Sequence, residues 1–124
     1  MSTRILVVED QADNRRILHD LLSSVGYEIL EAVTGDEGVT LATTQHPDLI
    51  LMDIQLPGID GYEATRRIKA DPALHHIPII AVTSYALAGD EAKALAIGCN
   101  AYVAKPFSPR ALLAKVREHL AFVA

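Results

Sequence analysis

Short apolar runs recur along this chain at intervals that leave room for one helix between each pair. That alternation limits the possible folds more than any other feature. The strong runs are Ile5-Leu6-Val7-Val8, Leu49-Ile50-Leu51-Met52 and Ile79-Ile80-Ala81-Val82; weaker strand candidates are Glu28 to Ala32 and Ala101 to Ala104. Between them the apolar residues fall into helical spacing. Ile17, Leu18, Leu21, Leu22 and Val25 form one helix face, with Gly26 as its C-cap. Thr34-Gly35-Asp36-Glu37 has the form of a capping box, opening a second helix that ends before Pro47. Asp60 caps a third helix that runs to Ala70 and is stopped by Asp71-Pro72. A fourth, rich in alanine, ends at Gly98. Ser108-Pro109 opens a fifth, with Leu112, Leu113, Val116 and Leu120 on one face. Five strands alternating with five helices predict an α/β fold with a parallel sheet, doubly wound because the strong runs are apolar on both faces.

The 124 residues suit one domain, which buries roughly two thirds of its unfolded surface without a disulfide or metal staple. A single cysteine excludes an internal disulfide framework. Sixteen acidic against eleven basic residues give a net charge of −5, which argues against non-specific binding to nucleic acid. No apolar run approaches the roughly 20 residues that span a bilayer, and Met1-Ser2-Thr3-Arg4 does not open a signal peptide. The expectation is a soluble cytoplasmic protein, one domain over residues 1–124, with neither nucleic acid nor membrane as a partner.

What stands at the strand ends is more informative. The first run ends in Glu9-Asp10, the third strand in Asp53, the fourth in Thr83 and the fifth in Lys105. In open parallel α/β sheets, ligands bind outside the carboxyl ends of the strands. Four strands therefore deliver three carboxylates, a hydroxyl and an ammonium to one edge. Two carboxylates about 5 Å apart repel by about 3 kcal/mol at an effective dielectric of 20, and a divalent cation relieves that cost. Oxygen ligands without cysteine or paired histidines point to Mg²⁺. With Lys105 as a point charge and Thr83 as a donor, the set reads as a phosphoryl-transfer site whose product is an aspartyl-phosphate.

Val7-Val8-Glu9-Asp10, Leu49 to Asp53 with Pro57-Gly58 and Gly61, Ala81-Val82-Thr83-Ser84, and Tyr102-Val103-Ala104-Lys105-Pro106-Phe107 together resemble the receiver domain of two-component response regulators. The run Pro47-Asp48 through Ile54-Gln55-Leu56-Pro57 is similar to stand-alone receivers of the DivK type and to receivers of hybrid kinases. The resemblance implies a flavodoxin-like (βα)5 fold with strand order 2-1-3-4-5. It also implies that Asp53 accepts a phosphoryl group from a phosphohistidine on a histidine kinase or histidine phosphotransfer protein. Glu9, Asp10, Asp53 and the carbonyl of Gln55 would hold Mg²⁺, and Lys105 would pair with the phosphoryl group and precede a cis bond to Pro106. Thr83 and Tyr102 would be the switch residues. The fourth helix, fifth strand and fifth helix would present the output face to a downstream protein target. On this reading Lys105→Ala leaves folding nearly intact.

Other residues read more plainly. Cys99 is a small apolar filler, His75-His76 a solvated loop, and Arg15-Arg16 and Arg66-Arg67 solvated helix faces, with Arg15 and Arg16 near enough to the acidic pair to meet a partner. Tyr85 either shields the site from water or lies on the partner surface. The expectation is a chain that ends with its fifth helix and passes its output through protein contacts, unless this is a receiver cut from a hybrid kinase. Two other functions compete. An aspartyl phosphatase of the haloacid dehalogenase type needs a second aspartate where Gln55 stands. A flavin carrier needs a loop of free N–H groups where Glu9-Asp10-Gln11 presents negative charge.

Overall fold

The computed structural model describes residues 2–83 and 89–121. Ten elements alternate: β1 (Arg4–Val8), α1 (Ala12–Ser23), β2 (Glu28–Ala32), α2 (Gly35–Gln45), β3 (Leu49–Asp53), α3 (Gly61–Ala70), β4 (Ile79–Thr83), α4 (Asp90–Ile97), β5 (Ala101–Ala104) and α5 (Pro109–Ala121). The strands form one parallel sheet in the order 2-1-3-4-5. The three apolar runs are the three central strands, buried almost throughout.

Because side chains alternate across a strand, each central strand feeds two cores. Leu6, Val8, Ile50, Met52, Ile79 and Ala81 pack on the face that also holds Tyr62, Ile68 and Ala94 from α3 and α4. Ile5, Val7, Leu49, Leu51, Ile80 and Val82 pack against Leu18, Leu22, Leu112 and Val116 from α1 and α5. At the edges the pattern thins: β2 buries only Ala32, and β5 alternates buried with half-buried residues.

Local chemistry fixes the helix starts. Thr34 Oγ1 accepts from Glu37 N at 3.1 Å, while Glu37 Oε1 reaches back to the N–H of Val33 at 2.6 Å. That return bond falls one residue earlier than in the usual capping box. Asp60 Oδ1 accepts from Glu63 N at 2.9 Å, and Ser108 Oγ from Ala111 N at 3.3 Å.

The first helix differs from its sequence reading. It ends at Ser23 with Ser24 as the C-cap, and Gly26 (φ +96) lies two residues further on, in the turn to β2. Leu18 and Leu22 are buried, whereas Ile17 is 56% and Val25 40% exposed. Val25 lies beyond the helix, and Ile17 stands about 100° around it from Leu18. The exposed Ile17 side chain lines a cleft of about 490 Å³ with Asn14, Leu18, Lys105, Pro106 and Phe107. No helix among the described residues is long and apolar enough to cross a membrane.

Candidate functional site

The parallel register sets the strand ends level. Asp53 pairs with Val82, and Thr83 with Ala104. Glu9 continues the ladder past β1 by donating its N–H to Ala32 O at 3.0 Å, and Lys105 donates to Thr83 O at 2.7 Å. Sequence position at a strand end therefore becomes spatial position at one rim. Glu9, Asp10 and Asp53 each offer a carboxylate oxygen, all within 4.8 Å of one another, a set that could hold a metal ion. Glu9 is 1% exposed, Asp53 6% and Thr83 2%.

Charge is balanced inside this rim. Lys105 Nζ donates to Glu9 Oε1 at 2.5 Å, and Gln11 N donates to Glu9 Oε2 at 3.2 Å. Asp53 Oδ1 accepts from Gln55 N at 3.1 Å. Burial acts to raise the Glu9 carboxyl, but hydrogen bonds with Asp53 and Lys105 outweigh it and leave Glu9 below the ordinary carboxylate range. Asp53 goes the other way. Burial first, then the hydrogen bond and negative charge of Glu9, push it up to about 7. Below pH 7 the proton these two carboxylates hold between them therefore falls to Asp53 rather than Glu9.

The Glu9–Lys105 pair revises one expectation. Removing Lys105 leaves a buried carboxylate without its cation, so Lys105→Ala should destabilise the fold. The Lys105–Pro106 bond is cis. Arg15 is also not simply solvated: its guanidinium donates to the Glu9 carbonyl at 3.0 Å and braces the acidic loop from α1. Arg16 pairs with Asp20 at the surface, while Arg66 and Arg67 pair with Glu63, as expected of exposed helix faces. Cys99 is buried against Thr65. His75 and His76 are exposed with perpendicular rings. Tyr102 is half-buried, and its hydroxyl is buried without a hydrogen-bond partner among the described residues. Ser84, Tyr85 and the beginning of the segment leading into α4 lie outside the described residues.

Gly61 also belongs to the site, for a reason no spacing reveals. A Cβ there would lie 2.1 Å from the Asp53 carbonyl oxygen and 2.7 Å from Ile54 Cα. Only a glycine lets α3 start this close beneath Asp53, with Gly61 N bonded to Ile54 O at 2.9 Å. Gly61→Ala should therefore cost about 2 kcal/mol through overpacking against backbone, read as a lower urea midpoint. A midpoint equal to the wild type's would show that the approach is not tight.

Comparison with known proteins agrees with this geometry. The family model for the response regulator receiver domain matches residues 5–117. The polar-differentiation response regulator DivK of Brucella ovis is 42% identical over 120 residues, covering 97% of this chain and 98% of the relative. The receiver domain of a sensor histidine kinase from Pseudomonas aeruginosa, whose crystal structure has a magnesium ion coordinated in the active site cleft, is 39% identical. It superposes with a TM-score of 0.90, covering 98% of this chain and 99% of that one. A CheY-like receiver domain protein from Methanospirillum hungatei is 33% identical, with a TM-score of 0.91 over 99% of this chain and 97% of that one. Sheet order, strand-end acids and near full-length likeness converge: the chain belongs to the response regulator receiver domain family of signalling proteins.

Proposed function

We propose that residues 1–124 act as one phosphoacceptor domain in a cytoplasmic two-component relay. Asp53 takes a phosphoryl group from a phosphohistidine on a histidine kinase or histidine phosphotransfer protein. The observation that carries this reading is Asp53 itself, a nearly buried carboxylate at a strand end facing Glu9, Asp10 and the Lys105 ammonium. One Asp53 oxygen attacks phosphorus; the P–N bond to the donor histidine breaks as the P–O bond forms, and the imidazole leaves with the bonding pair. Thr83 donates to one phosphoryl oxygen. Lys105 exchanges its Glu9 partner for another, since an ammonium follows the larger local negative charge.

The donor set is all oxygen and strongly anionic, which fits a hard divalent cation. Glu9, Asp10, Asp53 and the Gln55 carbonyl would hold Mg²⁺, which when bound supplies positive charge against the phosphoryl oxygens. The magnesium-bearing kinase receiver supports that choice. Thr83 and Tyr102 then relay the change to the face of α4, β5 and α5, where a downstream protein binds.

Incubation with a small phosphodonor and Mg²⁺, followed by intact mass, tests the reading. One phosphoryl increment is expected, lost in Asp53→Ala and slowed more than about a hundredfold by chelation. Sustained release of phosphate with no trapped adduct would instead indicate an aspartyl phosphatase.

A further inference from the structure

Among the described residues α4 is thinly anchored. Ala94 is its one buried side chain, against four in α3 (Tyr62, Ala64, Thr65 and Ile68), and Leu95 is 46% exposed. Its N-cap, Gly89, has φ +91 and supplies no side-chain hydrogen bond. Half-buried Ile97 packs against the core, and a further contact joins the two helices. Lys93 of α4 places its ammonium 4.4 Å from the centroid of the Tyr62 ring on α3. Tyr62 is 8% exposed and lies in the same apolar cluster as Tyr102, whose buried hydroxyl has no hydrogen-bond partner among the described residues. An unpaired buried hydroxyl is costly, so any movement of α4 that brings a polar group or water to that oxygen is favoured. The cation on the ring opposes such movement.

We propose that the Lys93–Tyr62 contact is a clasp holding α4 against α3 in the unphosphorylated chain, and that opening it is part of the free energy of switching. The second half rests on the phosphoacceptor reading above; the first does not. With a single side chain of α4 fully buried, a contact of ordinary cation–π strength adds measurably to its local stability.

Hydrogen exchange at the α4 amides, with no phosphodonor present, tests the clasp by itself. Lys93→Gln removes the cation while keeping helix propensity nearly constant, and should speed exchange about two- to fivefold, the range set by an exposed cation–π contact. Lys93→Arg keeps the cation and Tyr62→Phe keeps the ring face, so both should exchange as the wild type does. Unchanged exchange in Lys93→Gln, or equally fast exchange in Tyr62→Phe, overturns the clasp. Titration with beryllofluoride as phosphoryl mimic should then half-saturate Lys93→Gln at a concentration lower by the same factor. Equal half-saturation in a variant whose α4 exchanges faster overturns the coupling to switching. If wild type shows no response to beryllofluoride, the phosphoacceptor reading fails, and the exchange comparison still decides the clasp.

Discussion

Replacing Lys105 by methionine should lower the melting temperature of the metal-free protein by roughly 10 °C at pH 7, from a stability loss of about 3 kcal/mol. Methionine keeps most of the apolar stem that lines the cleft beside α1, so packing is largely preserved. What disappears is the cation 2.5 Å from a carboxylate that is 1% exposed. Breaking a buried pair from one side leaves the other charge desolvated, which is why the cost exceeds that of a surface bridge. Two conditions should restore most of the loss. Saturating Mg²⁺ places positive charge on the same carboxylates, and mild acid protonates Asp53 and so reduces the negative charge of the cluster. Lys105→Arg, retaining the cation, should stay near the wild type. If Lys105→Met melts within about 2 °C of the wild type in chelator, the pair does not carry the charge balance of the rim.

The layout of the rim was legible in the sequence because two simple regularities fix it. Near-continuous apolar runs identify central parallel strands, and the residue after each run must then lie at one edge of the sheet. Glu9, Asp53, Thr83 and Lys105 follow from that logic without knowledge of any contact. The helix faces were less secure. Ile17 fits the apolar pattern of α1, yet it sits at the margin of the buried stripe and ends up exposed, because periodicity marks a face without marking its width. The resting partner of Lys105 was hidden for a different reason: family resemblance describes the residue by its phosphorylated state, whereas the pairing with Glu9 depends on burial. Gly61 stood among the motif residues, but the reason a glycine is needed there did not, and the Lys93–Tyr62 contact was illegible altogether. The first depends on how closely a helix start approaches a strand end, the second on the relative placement of two helices. Neither leaves a local pattern.

Lowering the pH should weaken Mg²⁺ binding about tenfold per unit below pH 6, and each ion bound near pH 6 should release close to one proton. The cause is the proton on Asp53, whose carboxyl is pushed up to about 7 by burial and by Glu9 beside it. In the unfolded chain the same group titrates near 4. A raised acid stabilises the folded state most fully below the unfolded value, and that contribution is lost as pH rises through the folded one. Metal-free protein should therefore lose stability between about pH 4 and pH 7, with a slope from this group of up to about 1.4 kcal/mol per unit, and level off above pH 8. Glu9, held low, acts in the opposite sense as pH falls below the ordinary value of 4.5, so it offsets this trend only at the acid end of the window. Asp53→Asn has no proton to exchange, so the slope and the metal-linked proton release should both vanish, while Asp10→Ala should weaken binding yet keep the metal-free slope. Chemical denaturation across pH and calorimetry in buffers of different ionisation enthalpy measure the two quantities independently. A metal-free stability that rises from pH 4 to pH 7, or Mg²⁺ binding without proton release at pH 6, would mean that Asp53 is already ionised before any cation arrives. In that case Lys105 alone, and no shared proton, must hold Glu9 and Asp53 together.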